Sequence, residues 1–396
     1  MAISLIAAAA RAALDADAVQ IRINGTSYMG WQDVDIDSDI MTPADAFSIS
    51  GTIPVPKPSA RDVRAGAASS AFDDFREGNR CDIYVGTDRQ MAGVIDEVHF
   101  SGTRQSARMR ISGRDLGAFL IDNEAKKFKA ANYTIKTLIE AMLDPAWGIR
   151  SVTFSNEENR KLVLGRKDKK KPISSLPKFL QPLARARIKI DHGERVSSII
   201  DTHTRRLGIT WWLTASGDLF LGKPNYDQQS AYSFTAGSPG SSTATNVESW
   251  EITRNISERY SEILVNGQGI SDLKKLWNSD KGVPRFAGFA RDPDLVERGI
   301  VRKLIIGDAD VLSKSEAQQR ADWEMGKRRS RALMLSLTVP GFRQGPRLFA
   351  IDTIASVKIE EAGINGNFYV LQRRFTESKA KRRTQLMLIQ PKVWMA

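Results

Sequence analysis

Histidine and cysteine are the side chains most often recruited for metal binding and nucleophilic chemistry, and this sequence holds three of the first and one of the second. His99 falls in a run that alternates apolar and polar residues, His192 precedes a helical pattern and His203 lies inside it. No His-Glu-x-x-His or Cys-x-x-Cys spacing accompanies them, so a zinc site has no ligand set. Cys81 has no partner for an internal disulfide and sits on an expected strand, the setting of a buried, unreactive thiol. Glycoside hydrolysis needs two carboxylates facing one another across a cleft, whereas Asp73 with Asp74 and Glu157 with Glu158 are adjacent pairs in loop-like sequence, better explained by solvation. Gly-x-Ser-x-Gly, phosphate-loop and dinucleotide fingerprints do not occur at suitable strand-to-helix junctions. The reading is of no catalytic, cofactor-binding or metal-ligating residue.

What the chain does concentrate is positive charge. The formal net charge is +12, and residues 166–189 carry Arg166, Lys167, Lys169, Lys170, Lys171, Lys178, Arg185, Arg187 and Lys189 against Asp168 alone. So dense a cluster cannot be buried without pairing. It is either a solvated loop or a surface that docks an acidic subunit or a phosphate backbone, and Phe179 supplies little of the aromatic interleaving of a single-strand binder. Arg166, Lys167, Lys169, Lys170 and Lys171 are the candidate partner-binding residues. Pro172, Pro177 and Pro182 disfavour a membrane helix here. The apolar run at 5–14 is interrupted by Arg11 and follows no basic residue, so it reads as a short packed or fraying helix, and stable membrane insertion is not expected.

The elements that must position these groups are mostly strands. Val19, Ile21 and Ile23 alternate up to Asn24-Gly25, and Tyr28, Trp31, Val34 and Ile36 follow, the pattern of a hairpin. Phe47, Ile49, Gly51 and Ile53 repeat at a spacing of two until Pro54, Pro56 and Pro58 end the run. Residues 79–122 read as three strands leading into a helix, with Ala107, Met109 and Ile111 alternating with Arg108 and Arg110. About six strands by Gly113 suit a small barrel or sandwich. Beyond Leu116 the period changes: Thr134 is placed to cap a helix over Ile135, Leu138, Ile139, Met142 and Leu143, which Pro145 stops. Residues 194–207 read as a second helix with Gly208 as its stop, followed by a hairpin at 209–221. The stretch 223–248 is rich in Ser, Thr, Gly and Asn, as a linker near a domain boundary is. Ser313 with Glu316 forms a capping-box pattern before a helix over 314–331, after which strands recur to the end.

Several of these pieces, in this order, resemble the baseplate hub proteins of Mu-like bacteriophages. The resemblance rests on Gly93-Val-Ile-Asp96, an alternating strand and Ser112-Gly113-Arg114-Asp115. It continues with helix, Gly208, Trp211 and Gly217-Asp218-Leu219, with Arg259-Tyr260-Ser261 and Gly267-Gln268 around an apolar strand entering a second barrel, and with Leu337-Thr-Val-Pro340-Gly341. It implies an α+β, β-rich fold of two barrel-like antiparallel β-domains joined by a smaller α/β region: a first tube-like domain at 1–120, a middle region at 121–245 with the basic insert at 159–190, and a second tube-like domain at 246–396 with one long helix. It further implies a non-enzymatic virion structural protein at the distal end of the tail, made in the bacterial host cytoplasm. As a homotrimer it would adapt a hexameric tail tube to a trimeric central spike, beside other baseplate proteins, with DNA only as passing cargo. Residues 93–111 and 368–389 share a layout of strand, polar basic turn and strand, so 93–100 and 368–375 are expected in corresponding places. Two alternatives outside the resemblance are a basic nucleic-acid-binding protein, revealed by salt-sensitive DNA binding, and a tail-associated cell-wall hydrolase, revealed by peptidoglycan release.

If the basic cluster docks rather than folds, replacing Lys169, Lys170 and Lys171 together by Gln leaves the thermal melting transition nearly unchanged by circular dichroism. Loss of folding in that variant would place the segment in the core.

Overall fold

Three lobes follow one another along the chain, each built from the local patterns just described; the computed structural model describes residues 15–53, 74–104, 106–126, 128–130, 134–154, 188–190, 193–267, 286–308, 311 and 313–393. The first lobe contains β1 (Val19–Ile23), β2 (Thr26–Tyr28), β3 (Asp33–Asp39), β4 (Ala46–Ile53), β5 (Arg80–Val85), β6 (Asp88–Gly102) and β7 (Ala107–Asp115), and runs into α1 (Gly117–Asp122). The middle lobe contains β8 (Phe128–Ala130), α2 (Ile135–Met142), β9 (Val152–Phe154), β10 (Ile188–Ile190), α3 (Val196–Arg206), β11 (Thr210–Leu213) and β12 (Leu219–Gly222). The last lobe opens with β13 (Ser230–Ala236) and β14 (Ser249–Arg254). It then diverts through β15 (Glu262–Gly267), β16 (Phe286–Arg291), α4 (Pro293–Glu297), β17 (Lys303–Asp308) and α5 (Lys314–Ser330). It closes with β18 (Leu333–Pro340), β19 (Arg343–Gln344), β20 (Arg347–Leu348), β21 (Thr353–Ile359), β22 (Ile364–Ser378) and β23 (Lys381–Ile389).

The strand-rich α+β class expected from sequence is what the chain adopts. Strands of the first and last lobes lie in one 13-stranded sheet, whose main path runs β14-β18-β23-β22-β3-β4-β7-β6-β5-β1-β2 with β21 and β13 branching from β22. One buried cluster spans both lobes, joining Ile36, Phe47, Ile49 and Ile111 to Leu335, Leu337, Phe375 and Leu386. The middle lobe has its own core, in which Ile135, Leu138 and Ile139 of α2 meet Val196, Ile199 and Ile200 of α3, with Trp211, Leu219 and Leu221 of the hairpin beneath.

Within the large sheet a unit of six strands occurs twice. The spatial order β3-β4-β7-β6-β5-β1 is matched by β14-β18-β23-β22-β21-β13, and the chain visits the six places in the same sequence each time. The long fifth strand of each unit carries a bulge against the sixth, between Ile95 and Glu97 in β6 and between Val370 and Gln372 in β22. Segments 93–100 and 368–375 therefore occupy corresponding places, with Ile95 matching Val370 and Phe100 matching Phe375. The registers carry the match onward, setting Phe47 against Leu335 and Ile36 against Ile252. The hairpin tips holding Arg104 and Lys379 fall at the same end. The units differ in the direction of one strand: β1 runs antiparallel to β5, whereas β13 runs parallel to β21.

Local sequence accounts for most of the elements. Asn24 and Gly25 both have positive φ, the turn that keeps β1 and β2 together. The Thr134 hydroxyl accepts from the Thr137 N–H and caps α2, and Gly208 follows α3 with φ +66°. Ser313 caps α5 by accepting from the Glu316 N–H at 3.1 Å.

Tertiary pairing overrides the simplest reading elsewhere. The N-terminal hairpin uses only Thr26–Tyr28 as its second strand, because β3 leaves it to pair with β4 and β22. The linker-like stretch contains β13, whose Tyr232, Phe234 and Ala236 are buried while Ser and Thr occupy the wet face; composition masked that alternation. The strand after Arg259-Tyr-Ser does not enter the large sheet. It is the centre of a separate sheet, β16-β15-β17, packed on α5 through Ile263, Val265, Ala317, Ala321 and Met325. The apolar run at 5–14, most of the Pro-rich segment after β4 and the basic cluster Arg166, Lys167, Lys169, Lys170 and Lys171 lie outside the described residues.

A Cβ on Gly113 would lie 2.1 Å from the Val94 carbonyl oxygen and 2.8 Å from the Phe47 ring. Gly113→Ala is expected to cost about 1–3 kcal/mol, read as a lowered urea midpoint. Gly366→Ala, where nothing stands within 4 Å, is expected to change stability by less than about 0.5 kcal/mol.

Candidate functional site

The Gly-Arg-Asp step at the end of β7 is a joint in the fold. Gly93 and Gly113 lack side chains where β6 and β7 cross beside the Phe47 ring, and a Cβ at either would meet a backbone carbonyl. The Arg114 guanidinium forks onto two carboxylates, donating from Nε to Asp96 at 2.7 Å and from Nη2 to Asp122 at 2.8 Å. Asp96 is the bulge residue of β6, so Gly-Val-Ile-Asp and Ser-Gly-Arg-Asp are two halves of one device. Asp115 is buried and accepts from the Gly117 N–H at 2.8 Å as the chain turns into α1. Burial, and then the nearby Asp45 charge, hold its carboxyl well above the usual range. Burial also pushes Asp45 up to about 7 and Arg373 down to about 10. Arg373 donates to Ser38 at 2.6 Å and to Gln90, and stacks over Phe375 at 4.1 Å.

The second sequence motif is likewise structural. Arg259 donates to both oxygens of fully buried Asp292 at 2.6 and 3.0 Å, and Ser261 exchanges hydrogen bonds with the Arg302 backbone. Tyr260 lies beneath the guanidinium groups of Arg302 and Arg328. Together they anchor the small sheet to the start of α4 and the end of α5.

A functional surface emerges from the alternation of the main sheet. Eight neighbouring strands, β14-β18-β23-β22-β3-β4-β7-β6, bury one face in the shared core and turn the other outward. On the outer face a cross-strand row reads Ser378, Asp33, Ser50, Arg110 and His99. The next reads Thr376, Asp35, Ser48, Ser112 and Glu97. A shallow cleft of about 520 Å³ lies over these rows. Aspartates on this face accept from neighbouring strands: Arg374 donates to Asp35 at 2.8 Å, Arg108 to Asp33 at 3.3 Å and Gln372 to Asp37 at 2.9 Å, while Arg110 donates to the Ser48 hydroxyl at 3.0 Å. A hydrogen bond from the Ser378 hydroxyl, with help from Ser50 and Arg108, holds Asp33 below the usual carboxylate range.

The two ends of this eight-strand row are β14 and β6. Along β14, the edge away from β18 has no paired strand among the described residues. Along β6, β5 pairs with the edge as far as Val94, and residues 97–102 lie beyond that pairing. The equivalent stretch of β22 is where β3 docks.

Of the chemistry-bearing residues singled out in the sequence, the strip includes only His99. His203 lies in α3, His192 and the carboxylate pair Glu157–Glu158 fall outside the described residues, and Asp74 accepts from the Tyr28 hydroxyl. Cys81 is buried, and burial pushes its thiol up to about 12. The candidate docking cations Arg166, Lys167, Lys169, Lys170 and Lys171 also fall outside the described residues. Among the described residues no group of three or more potential ligands is arranged for a metal ion. Sequence inspection missed Asp33, Asp35, Asp37 and Asp39, although their alternation with Val34, Ile36 and Ser38 marks a strand with an acidic face.

Comparison with known proteins agrees with this architecture. Residues 18–115 match the family model described as Mu phage baseplate assembly protein GpP-like, N-terminal. The fold is similar to a tail protein from Neisseria meningitidis MC58, with a TM-score of 0.71, 22% identity, and 96% of this chain and 98% of that chain covered. It is also similar to the 43 kDa tail protein of prophage MuSo2 from Shewanella oneidensis, with a TM-score of 0.70, 19% identity and 95% and 99% covered. A third similar structure is the E. coli c3393 protein, described as a type VI secretion component with structural similarity to T4 tail proteins gp27 and gp5; there the TM-score is 0.50, the identity 9%, and 94% and 78% are covered. No curated protein matches the sequence. The resemblance to Mu-like baseplate hub proteins drawn from sequence motifs is thus supported by an independent family model and by fold.

Asp45 and Asp115 keep protons in the folded chain at pH values where an unfolded aspartate, near 3.9, has lost them. The native state then binds more protons than the unfolded state, so stability falls as pH rises from about 4 to about 7. Asp33 and Glu360 have the opposite shift, Glu360 to about 2 through the Thr243 hydroxyl, and act below that window. Urea midpoints are expected to drop between about pH 5 and about pH 7.5, and to drop less in Asp115→Asn, which keeps an acceptor for the Gly117 N–H.

Proposed function

We propose that this chain is a structural component of a phage-tail baseplate, in which three copies form a ring joining the hexameric tail tube to the trimeric central spike. The observation that carries this reading is the twofold repetition of a six-strand unit in one chain, with matched order, register and bulge. A threefold assembly meets a sixfold one by offering two similar surfaces per subunit. The GpP-like family match over 18–115 and the likeness to prophage tail proteins point the same way. On this reading the two repeated units are the tube-like domains, the middle lobe decorates the ring, and the protein works by assembly rather than turnover at the distal end of the tail.

The outer strip suits a channel lining. Phosphate binding draws on uncompensated Lys and Arg, whereas here Arg108 and Arg374 face Asp33 and Asp35, which leaves Arg110, on the Ser48 hydroxyl, as the arginine of the two rows without a carboxylate opposite among the described residues. DNA can pass such a surface without being held. The basic residues Arg166, Lys167, Lys169, Lys170 and Lys171 are proposed to dock other baseplate proteins.

Light scattering is expected to give the mass of a trimer at micromolar concentration, and a low-resolution density map a central channel with six lobes. A stable monomer or dimer across that range would count against a preformed hub.

A further inference from the structure

A small polar cavity of about 40 Å³ sits where the three lobes of the chain meet. Residues 40–43, just after β3, form one wall, Asp201 and Arg205 of α3 with Trp211 of β11 a second, and Trp323 and Lys327 of α5 the third. A single water needs roughly 10–15 Å³ of such space, so the cavity suits an occupant of very few atoms and excludes a nucleotide or a sugar.

Positive charge is incompletely met around it. Asp201 is the one carboxylate among the lining residues, and both its oxygens are taken, Oδ2 by Arg205 Nη2 and Oδ1 by the Trp211 Nε1–H, each at 2.7 Å. Neighbouring carboxylates are spent on other arginines: Glu324 on Arg320 and Arg328, and Glu258 on Arg331. Lys327 is left over. Its ammonium lies over the Trp323 ring at 4.9 Å and has no carboxylate within ion-pair distance among the described residues. The same indole carries the Arg205 and Arg320 guanidinium groups at 5.1 and 5.3 Å, so three like charges crowd one ring. Burial, and then the charges of Arg205 and Arg331, hold the Lys327 ammonium below its usual range.

Two donors on the cavity's lining residues share the deficit. Trp323 is only 5% exposed, and its Nε1–H has no acceptor among the described residues; the buried Nε–H of Arg205 has none either. Buried donors in folded proteins are ordinarily satisfied. Water in the cavity would satisfy them and leave the Lys327 charge unbalanced, and a doubly charged oxyanion would overcompensate a single unpaired cation. A monovalent anion answers both needs.

We propose that this cavity binds a small monovalent anion of the halide class, held by the Lys327 ammonium, the Trp323 Nε1–H and the Arg205 Nε–H. The ion ties α5 to α3 and to the turn after β3, so the middle lobe is fixed against both repeated units by charge as well as by apolar contact. The site stands apart from the outer strip and from any assembly of copies.

The test is urea unfolding of the full chain, followed by circular dichroism at constant ionic strength, with chloride replaced stepwise by gluconate, an anion too large for the cavity. Raising chloride from zero to about 0.2 M is expected to lower the unfolding constant about tenfold, as an ion bound only by the folded chain with a Kd near 0.02 M does. Lys327→Met is expected to reduce that response to less than about twofold, while Lys314→Met, which removes an exposed cation from the same helix, keeps it in full. Crystals of the unaltered chain grown in bromide are expected to show an anomalous peak between Lys327, Arg205 and Trp323. No chloride response and no peak would mean water only and overturn the proposal. A chloride response that persists in Lys327→Met would place the ion elsewhere and overturn the site. A bromide peak without any chloride response would mean binding at crystal concentration only and also overturn it. Should Lys327→Met fail to fold, the chloride response and the bromide peak of the unaltered chain decide together.

Discussion

The junction between β3 and β22 is the constraint on which the rest of the architecture depends. Seven residues from each end of the chain lie side by side there, and their pairing turns two repeated units into one sheet with one buried face. Apolar burial drives the contact, since covering a side chain such as Phe375 or Ile36 is worth about 1.5–3 kcal/mol. The hydrogen bonds along its outer face contribute about 0.5–1.5 kcal/mol apiece at most. Their value lies in register. A slip of one residue would turn Ile36 outward and bring Asp35 and Asp37 into the core.

The polar groups beneath the junction have the opposite character. Arg373 is buried against Phe375 and Ser38, within reach of the Asp45 charge, and removing one partner from such a cluster leaves an uncompensated charge or an unmet donor. An apolar filling would hold the sheet together as well but would not distinguish one register from its neighbours. The cost is a stability that depends on protonation, because Asp45 and Asp115 stay neutral only while protons are available.

Much of this was legible beforehand, and the exceptions have physical reasons. Strands with strict alternation, such as β7 and β18, and helices with a cap and a stop, such as α2 and α3, could be read directly. The equivalence of 93–100 with 368–375 was visible because both hairpins keep the same spacing from strand to basic tip. The strand β13 was hidden because Ser and Thr serve equally well on the wet face of a strand and in a loop. The separate sheet around β15 was hidden because an alternating strand does not declare which sheet it joins. The acidic face of β3 was overlooked for a related reason: aspartates are poor strand formers, and only the partners Arg374, Gln372 and Arg108, distant in sequence, make them at home there. The functional surface is a property of pairing between remote segments, so no local motif announces it.

The distance along the chain between β3 and β22 has a consequence for biogenesis. Hydrogen bonds at the junction join residues 335 to 345 positions apart. A ribosome releasing this chain exposes β3 early, with its hydrophobic face and its free edge formed, and delivers the strand that covers it only near the end of synthesis. Contacts of such separation are slow to form, because the closure entropy precedes the reward. During that interval β3 presents the same kind of edge that another nascent chain could occupy, so each polypeptide passes through a window in which the wrong copy of β22 can claim its place. The aspartates along β3 then act as gatekeepers, since an edge lined with like charge repels its own kind while it waits for the arginine and glutamine of β22.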